Sequence, residues 1–524
     1  MTDIRPAGGD GPGPRPHVDP SDLDAVRAAV GLDRPGSAVH PVGMSSIRIG
    51  PDALDELPSL VAAIARPGQI ALVVDPVPMR RGGEDLKTLV AGQLATIGDV
   101  RIVTVGTPVV ELHADPEALD AASAGVAGAG VVVAVGSGTI CDIAKEASRA
   151  AGAPYVVVQT ANSVNAFSDD MAVLLLNGVK RTTPSRWPDV LVIDLAVLAD
   201  APAALNRAGV GELAAMFTAP ADWRLAAAFG MDPSWDRRVV DLFRTGASAF
   251  LDAAPHATSR NDAGQRTLAE LMTLSGLALG IAGRTSPISG TEHTVSHLLD
   301  MAAARENRPT GLHGAQVGVA ALAVAVAWET FLDGFDPSVL LTVDVPSHDA
   351  MRTRIDEAFR ALDPTGVMAA ECWSDYRRKL ERWAALRPGL PAVVESWPTI
   401  REELGGLLGR PADIAAALCS AGAAATFTEL DPPATAATAA WALFNGHLIR
   451  DRFTLADLAW FSGAWSVGTA EAAIATAAGI ANAARIAGAP RGDVVDARVA
   501  PGASEGGAKA ESGRPAAVET GRIR

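Results

Sequence analysis

Cysteine is scarce in this chain, and its three cysteines lie far apart. Cys141, Cys372 and Cys419 are odd in number, and no two of them have the C-x-x-C spacing of a zinc or redox motif. This usage argues against a disulfide framework and is typical of a protein that stays in a reducing compartment. We therefore expect a cytoplasmic protein without disulfides.

Positive charge and long apolar runs are also scarce. The 44 Lys and Arg residues are outnumbered by 60 Asp and Glu, which gives a formal net charge of −16 and a pI near 5.0. Binding of nucleic-acid phosphates needs a basic surface, so we expect no nucleic-acid partner. The most apolar stretch, residues 317–331, is too short to cross a bilayer and contains Glu329, and residues 1–10 lack the apolar core of a signal peptide. We expect no membrane span.

The first part of the chain, residues 39–203, alternates short β-branched runs with helical stretches. Asp115 followed by Pro116 marks the start of one of these helices. Strands that are apolar throughout and are separated by helices are typical of a parallel sheet covered on both faces. The predicted strands are residues 69–75, 100–105, 130–135, 155–159 and 190–194.

From residue 204 to residue 489 the β-branched runs fade, and Ala, Leu and Met recur at helical spacing. Examples are residues 239–253, 267–282 and 316–331. The sequence therefore predicts an α/β domain with a parallel sheet, followed by an all-α domain. The ends, residues 1–38 and 490–524, are rich in small and polar residues and are expected to be flexible tails.

A glycine turn follows the predicted strand at residues 130–135 and leads into a predicted helix. Its members are Gly136, Ser137, Gly138 and Thr139, and Asp142 lies in the helix that follows. Glycines let a backbone approach a ligand closely, and the free amides of a helix N-terminus favour a pyrophosphate. Because the spaced G-x-G-x-x-G fingerprint is absent, the sequence fits both a dinucleotide site and a plain turn.

Polar side chains follow two other predicted strands. Thr160, Ser163 and Asn165 come directly after residues 155–159, and they can contact a ribose or a substrate or simply form an Asx-rich turn. Asp75 ends an earlier strand, where it can hold a ribose hydroxyl or serve only as a turn residue. The sequence does not decide between NAD and NADP.

Three of the nine histidines fall within residues 293–313. If residues 292–302 are helical, His293 and His297 are four positions apart and project from one face. His313 opens a second segment that can fold back against the first. Two helices can hold a divalent metal in this way, although an i, i+4 pair can also be a satisfied core pair.

Taken together, these motifs resemble the sn-glycerol-1-phosphate dehydrogenase family, within the superfamily of iron-containing alcohol dehydrogenases and dehydroquinate synthases. The resemblance extends from about residue 42 to about residue 470. The other stretches that carry it are residues 208–212, 221–223, 292–297, 312–314 and 448–455.

The resemblance implies a dehydroquinate synthase-like architecture, in which a Rossmann-like nucleotide domain precedes an all-helical metal domain and the active site lies between them. It implies one divalent ion, zinc by preference and nickel or iron otherwise, held by Glu212, His293 and His313. His297 and Asn165 would be the catalytic groups that face the substrate. NAD or NADP would contact Gly136 to Thr139 and Thr160 to Ser163.

The implied reaction moves a hydride between the nicotinamide and a small polyol or ketone, with or without a phosphate group. The bound ion would lower the pKa of the substrate hydroxyl or polarise the ketone. A homodimer or larger homo-oligomer is also implied by the resemblance.

Three positions depart from the pattern of the family. Glu212 stands in place of an aspartate, which keeps the carboxylate on a longer arm, and Asn165 stands in place of an aspartate that would bind a substrate hydroxyl. Ser286 stands where an arginine suited to a phosphate is expected, with Arg284 two residues earlier. The departures put the identity of the substrate in doubt.

These departures keep two other hypotheses in view. Dehydroquinate synthase-like cyclases use a glutamate with two histidines, which Glu212 matches, but they carry a Gly-Gly-Lys after the position of Asn165 that this chain lacks. The Asp222-Trp223 pair favours the dehydrogenase. The third hypothesis is a non-catalytic homologue that binds nucleotide or metal.

Overall fold

The computed structural model describes residues 18–32, 39–108, 111–176, 179–260, 262–306 and 308–488. The flexible tail predicted at residues 490–524 lies outside these residues, as does most of the one predicted at residues 1–38. By length and composition, one helix in the described part, His313–Gly334, is apolar enough to span a membrane, and 83% of its apolar window is buried inside the protein.

Parallel pairing dominates the first part of the chain. The strands are β1 (Ser46–Gly50), β2 (Ile70–Val74), β3 (Arg80–Arg81), β4 (Glu84–Asp85), β5 (Val100–Thr104), β6 (Val131–Gly136), β7 (Tyr155–Gln159), β8 (Met171–Leu176), β9 (Val179–Pro184) and β10 (Val190–Asp194). Six of them form one sheet in the order β1-β10-β7-β6-β2-β5, with every pairing parallel. Two antiparallel pairs, β3 with β4 and β8 with β9, lie outside this sheet.

The helices interleave with these strands and then continue alone. They are α1 (Leu23–Val30), α2 (Leu57–Ile64), α3 (Leu86–Ala95), α4 (Pro116–Val126), α5 (Gly138–Ala151), α6 (Leu195–Asp200), α7 (Ala203–Ala214), α8 (Ala219–Ala228), α9 (Arg237–Arg244), α10 (Ala247–Ala253), α11 (Asp262–Ala282), α12 (Thr291–Arg305), α13 (His313–Gly334), α14 (His348–Phe359), α15 (Val367–Leu386), α16 (Leu390–Leu407), α17 (Pro411–Ser420), α18 (Ala436–Asn445), α19 (Leu455–Phe461) and α20 (Val467–Gly488).

The sheet is buried on both faces because helices cover both. In β6, Val131, Val133 and Val135 pack in one hydrophobic cluster with α2 and α3, whereas Val132 and Ala134 pack in the other with α4 and α5. The five predicted strands are confirmed as β2, β5, β6, β7 and β10, and Asp115 caps α4 through a hydrogen bond from the Ala118 amide. All regular elements described after β10 are helical, as predicted.

The prediction of a flexible tail over residues 1–38 is wrong for residues 18–32, which contain α1. Leu23, Val26 and Val30 recur at helical spacing and are buried in the main core, and Asp22 caps the helix by accepting from the Ala25 amide. The surrounding Gly and Pro residues hide this short amphipathic pattern in the sequence.

Two helices of the second part, α7 and α13, touch backbone to backbone. A Cβ atom added at Gly211 would lie 2.1 Å from the carbonyl oxygen of Gly314, and one added at Gly318 would lie 2.5 Å from the Cα of Gly211. Two residues earlier on α7, a Cβ at Gly209 would lie 1.7 Å from the carbonyl oxygen of Asn162, in the loop after β7. Glycine is therefore required for this helix to pack against both α13 and the edge of the sheet.

We expect the substitution Gly211→Ala to cost about 1–3 kcal/mol of the free energy of unfolding, as overpacking of a close contact does. Gly479→Ala is the matched control, because Gly479 lies in the exposed interior of α20 with no atom within 4 Å of an added Cβ. The control should be neutral or stabilise by up to about 1 kcal/mol. Equal unfolding midpoints for the two variants would show that α7 and α13 do not meet at Gly211.

Candidate active site

One cavity brings the glycine turn and the histidines together. It has a volume of about 290 Å³, and its wall combines the carboxyl edge of the sheet, the β8–β9 hairpin and the helices α7, α12 and α13. Of the predicted site residues, the wall contains Ser137, Gly138, Thr139, Asp142, Ser163, Asn165, Glu212, His293, His297 and His313. Gly136, Thr160 and Asp75 are not part of the wall.

Glu212, His293 and His313 form a three-residue group whose potential ligand atoms all lie within 4.8 Å of one another. The Nε2 atom of His293 lies 3.6 Å from Oε1 of Glu212, and the Nε2 atom of His313 lies 3.8 Å from Oε2. Ligand atoms about 2.1 Å from a tetrahedral ion are about 3.4 Å apart, so this spacing fits a single ion. Oε2 of Glu212 is buried and has no hydrogen-bond partner among the described residues, which also fits a metal ligand.

His293 is oriented by a carboxylate behind it. Its Nδ1 atom lies 2.9 Å from Oε1 of Glu292, which in turn accepts from the Gly290 amide and, through Oε2, from the Thr218 hydroxyl. Because a carboxylate only accepts, Nδ1 carries a hydrogen toward Glu292, and Nε2 faces Glu212. Burial lowers the pKa of His293, but the hydrogen bonds and charges of Glu212 and Glu292 outweigh it and raise the pKa to about 9.

His313 is oriented by a chain of neutral and charged groups. Its Nδ1 atom lies 2.8 Å from Oγ of Ser296, the Ser296 hydroxyl donates to Oε1 of Gln316, and Nε2 of Gln316 donates to Asp300. The Asp300 carboxylate sets the direction of the chain, so Ser296 accepts from Nδ1 and the Nε2 atom of His313 faces Glu212. Burial lowers the pKa of His313 to about 4, so its imidazole is neutral near pH 7.

The electrostatics of Glu212 follow from its two histidine neighbours. Burial by itself raises the pKa of this carboxyl group, but the hydrogen bond and charge of His293 and the charge of His313 lower it below its usual value. Glu212 is therefore ionised at neutral pH, in a region where an unpaired carboxylate would be costly.

His297 lies beside this group without belonging to it. Its ring packs edge-on against the ring of His313, with the centroids 5.6 Å apart, and its Nδ1 atom is buried with no hydrogen-bond partner among the described residues. Burial, followed by the positive charges of Arg450, His313 and Lys180, lowers the pKa of His297 well below its usual value. The imidazole on the cavity wall is thus neutral.

The loop after β7 contributes Ser163 and Asn165 to the cavity. Asn165 is buried, and its Nδ2 atom has no hydrogen-bond partner among the described residues. Thr160 and Gly136 are joined to each other instead, since the Thr160 amide donates to the Gly136 carbonyl at 3.3 Å. They support the turn from behind the wall.

Asp75 does not reach the cavity. Its carboxylate forms an ion pair with Lys87, with Nζ 2.7 Å from Oδ1, and also accepts from the Val77 amide. Since β2 is the neighbour of β6 in the sheet, Asp75 still ends a strand next to the one that leads into the glycine turn.

Several side chains near the cavity escaped the sequence analysis. Lys180 and Thr182, on β9, line the wall, and the hairpin that carries them was not predicted. The only sequence signal was a lysine in a chain that has five, followed by Arg181 and two threonines. Arg284, considered as a replacement for an arginine at position 286, is turned to Asp232, with 2.8 Å between Nη1 and Oδ1, and is not on the wall.

Comparison with known proteins shows which proteins have a similar sequence and fold. The model of the family described as iron-containing alcohol dehydrogenase matches residues 48–202. Among solved structures, a probable glycerol dehydrogenase from Sinorhizobium meliloti has a TM-score of 0.51 at 15% identity, covering 84% of this chain and 98% of that one. Glycerol dehydrogenase from Schizosaccharomyces pombe has a TM-score of 0.52 at 13% identity, covering 84% and 90%. The architecture is that of the iron-containing alcohol dehydrogenases.

Curated relatives narrow the assignment. Glycerol-1-phosphate dehydrogenase [NAD(P)+] of Bacillus licheniformis is 31% identical over 302 residues, 57% of this chain and 74% of that protein. The enzyme of the same name from Aeropyrum pernix is 31% identical over 281 residues, 53% and 76%. The one from Bacillus subtilis is 32% identical over 246 residues, 46% and 59%. The chain belongs to the glycerol-1-phosphate dehydrogenase family, and it is a metal-dependent, NAD(P)-linked oxidoreductase.

The buried carboxyl group of Asp142 should make the stability of the protein depend on pH. Burial raises the pKa of its carboxyl group to about 8, although the nearby Lys145 lowers it, and one of its oxygens has no hydrogen-bond partner among the described residues. The folded chain therefore keeps a proton that the unfolded chain releases near pH 4, so stability falls as the pH rises between these two values.

Asp142→Asn removes this titration. We expect the variant to gain stability relative to the unchanged chain between pH 5 and pH 8, by about 1.4 kcal/mol or more, the equivalent of one pKa unit. Unfolding midpoints at several pH values measure the difference, with Asp24→Asn, on an exposed side chain of α1, as the control. A difference that does not change with pH would mean that Asp142 is ionised throughout.

Proposed function

We propose that the chain interconverts a polyol phosphate and the corresponding ketone phosphate, with glycerol 1-phosphate and dihydroxyacetone phosphate as the pair. The observation that carries this proposal is the single cavity of about 290 Å³, whose wall holds both the glycine turn of β6 and the group of Glu212, His293 and His313. A dehydrogenase needs the nicotinamide and the activated substrate oxygen within one water-poor space. The relatives named above suggest the substrate.

In this proposal Glu212, His293 and His313 hold the metal. Two imidazoles, with His293 giving up a proton to the ion, and one carboxylate suit zinc, and they also accept nickel or iron, so we propose zinc as the preferred ion. The bound ion supplies a Lewis acid for the substrate oxygen. Glu292 and Ser296, which bind the two Nδ1 atoms, keep both Nε2 atoms directed at the ion and limit the reorientation of the rings.

His297 and Asn165 are proposed to position the substrate. The imidazole of His297 is neutral because its pKa lies below its usual value, so it can accept a hydrogen bond from a substrate hydroxyl. The Asn165 amide offers a donor and an acceptor without charge, and its buried Nδ2 atom has no partner within the described chain. The two side chains replace water as hydrogen-bond partners of the substrate.

The nicotinamide cofactor is proposed to lie against Ser137, Gly138 and Thr139. These residues begin α5, and no side chain caps this helix end, so its amides are available to a pyrophosphate. The cavity would admit either NAD or NADP. For Asp75 to bind a ribose hydroxyl, it must share its carboxylate between that hydroxyl and Lys87.

The oligomeric state and the cellular compartment are further parts of the proposal. We propose a homodimer or larger homo-oligomer because of the family resemblance, and a cytoplasmic location because its three cysteines are all free and none is exposed.

The activity is tested with protein loaded with one divalent metal at a time. We expect NADH or NADPH absorbance at 340 nm to fall when dihydroxyacetone phosphate is added, with zinc at least as effective as nickel or iron, and to stay constant after treatment with a chelator. An absence of turnover across a panel of ketones and polyols would contradict the proposal. Conversion of a heptulosonate phosphate to a cyclic product would support the cyclase instead.

The histidines are tested by metal content. We expect His293→Ala and His313→Ala to reduce bound metal from about one ion per chain to a small fraction, because each removes one of three protein ligands. His297→Ala should retain the ion and lose rate. The exposed His348, on α14, provides a control substitution by Ala that changes neither. Equal metal loss in all three cavity variants would show that His297 is also a ligand.

A further inference from the structure

Lys180 is the positively charged side chain on the wall of the cavity that contains Glu212, His293 and His313. Among the described residues that line its wall, Lys180 is the one lysine or arginine. It lies on β9, in the hairpin that faces the helices, and its side chain is 30% exposed. An anion entering this space therefore meets a single ammonium group.

One carboxylate holds the ammonium group of Lys180 in place and leaves it able to donate further hydrogen bonds. Its Nζ atom lies 2.5 Å from Oδ2 of Asp300, a carboxylate that is buried behind the wall and whose other oxygen accepts from Gln316. An ammonium group has three hydrogens to donate, and Asp300 is the one acceptor of Lys180 found within the described chain. The Lys180 carbonyl accepts from Arg450, which also fixes the backbone of the hairpin.

The position of Lys180 is tied to that of the metal-binding group. Asp300, which holds Lys180, is also the end of the hydrogen-bond chain that runs through Gln316 and Ser296 to Nδ1 of His313. The charge of Lys180 acts on the rings of both His297 and His313. The cation and the metal-binding group are thus linked through Asp300 and line the same cavity.

The guanidinium groups of Arg284 and Arg452 bind other groups of the protein and do not face the cavity. Arg284 is paired with Asp232 and is partly exposed outside the cavity. Arg452 donates to Ser289 and Thr285 from behind the wall, where it supports the segment that contains Ser286. Neither guanidinium group lies on the wall.

We propose that Lys180 is the specificity residue that binds the phosphate group of the substrate while the carbon to be oxidised or reduced lies at Glu212, His293 and His313. This inference rests on the proposed function. Asp300 compensates part of the lysine charge, which allows a phosphate to bind by adding hydrogen bonds and then to leave with the product. A neutral polyol could accept a hydrogen bond from Lys180 but would form no ion pair with it.

The test compares Lys180→Met, Lys180→Arg and the control Arg284→Met in zinc-loaded protein with NADH. Each variant is assayed with dihydroxyacetone phosphate and with dihydroxyacetone, which lacks the phosphate. We expect Lys180→Met to lower kcat/KM for the phosphorylated ketone about 10- to 100-fold, as loss of a charged hydrogen bond does, while the neutral ketone changes by about threefold or less. Lys180→Arg should recover most of the loss, and Arg284→Met should match the unchanged chain.

The outcomes separate this inference from the proposed function. An equal loss with both ketones, or no loss with either, would overturn the role of Lys180 while leaving the dehydrogenase intact. If the unchanged chain reduces neither ketone, the proposed function fails, and calorimetric binding of inorganic phosphate to zinc-loaded protein decides the role of Lys180. Weaker phosphate binding by Lys180→Met would support the anion site, and equal binding would refute it.

Discussion

The close contact between the backbones of α7 and α13 determines the geometry of the candidate active site. Gly211 lies against the start of α13, and Glu212 follows it directly on α7, while His313 is the first residue of α13. A side chain at the crossing would separate the two helices by more than the spacing between Glu212 and His313 allows. Two residues earlier, Gly209 packs against the carbonyl of Asn162, so the same helix also fixes the polar loop that leaves β7.

Polar groups behind the cavity wall fix the orientation of the histidine rings near the contact between α7 and α13. Glu292 and Ser296 lie one turn apart on α12 and bind the Nδ1 atoms of His293 and His313, one through a charge and the other through a neutral chain. Against the effect of burial, the hydrogen bonds and charges of Glu212 and Glu292 raise the pKa of His293 to about 9, whereas burial lowers the pKa of His313 to about 4. A metal ion must displace a proton from the first ring but not from the second.

Much of this arrangement was accessible from the sequence because its signals are local. β-branched runs predicted five of the six strands of the main sheet, and the i, i+4 spacing of His293 and His297 placed both on α12. The family resemblance supplied Glu212. The sequence thus predicted the group of Glu212, His293 and His313, whose members are up to 101 positions apart in the chain.

Contacts between distant residues account for what was missed. Lys180 is paired with Asp300, 120 residues away, and neither has a motif that predicts the other. Arg284 lies near the position of the expected arginine in sequence, but its pairing with Asp232 turns it out of the cavity. Asp75 occupies the predicted strand end, yet Lys87 on α3 takes up its carboxylate. Short-range patterns cannot report such competition between partners.

The two departures from the family pattern in the substrate region have opposite effects on charge. Asn165 in place of an aspartate removes one negative charge, and Ser286 in place of an arginine removes one positive charge, so the net charge of the site is unchanged. The distribution of charge does change. The positive group that faces the cavity is Lys180 on β9. Asn165, in the loop after β7, is neutral. Since Asp142 holds its proton up to about pH 8, a phosphorylated substrate meets less repulsion there than a count of carboxyl groups implies.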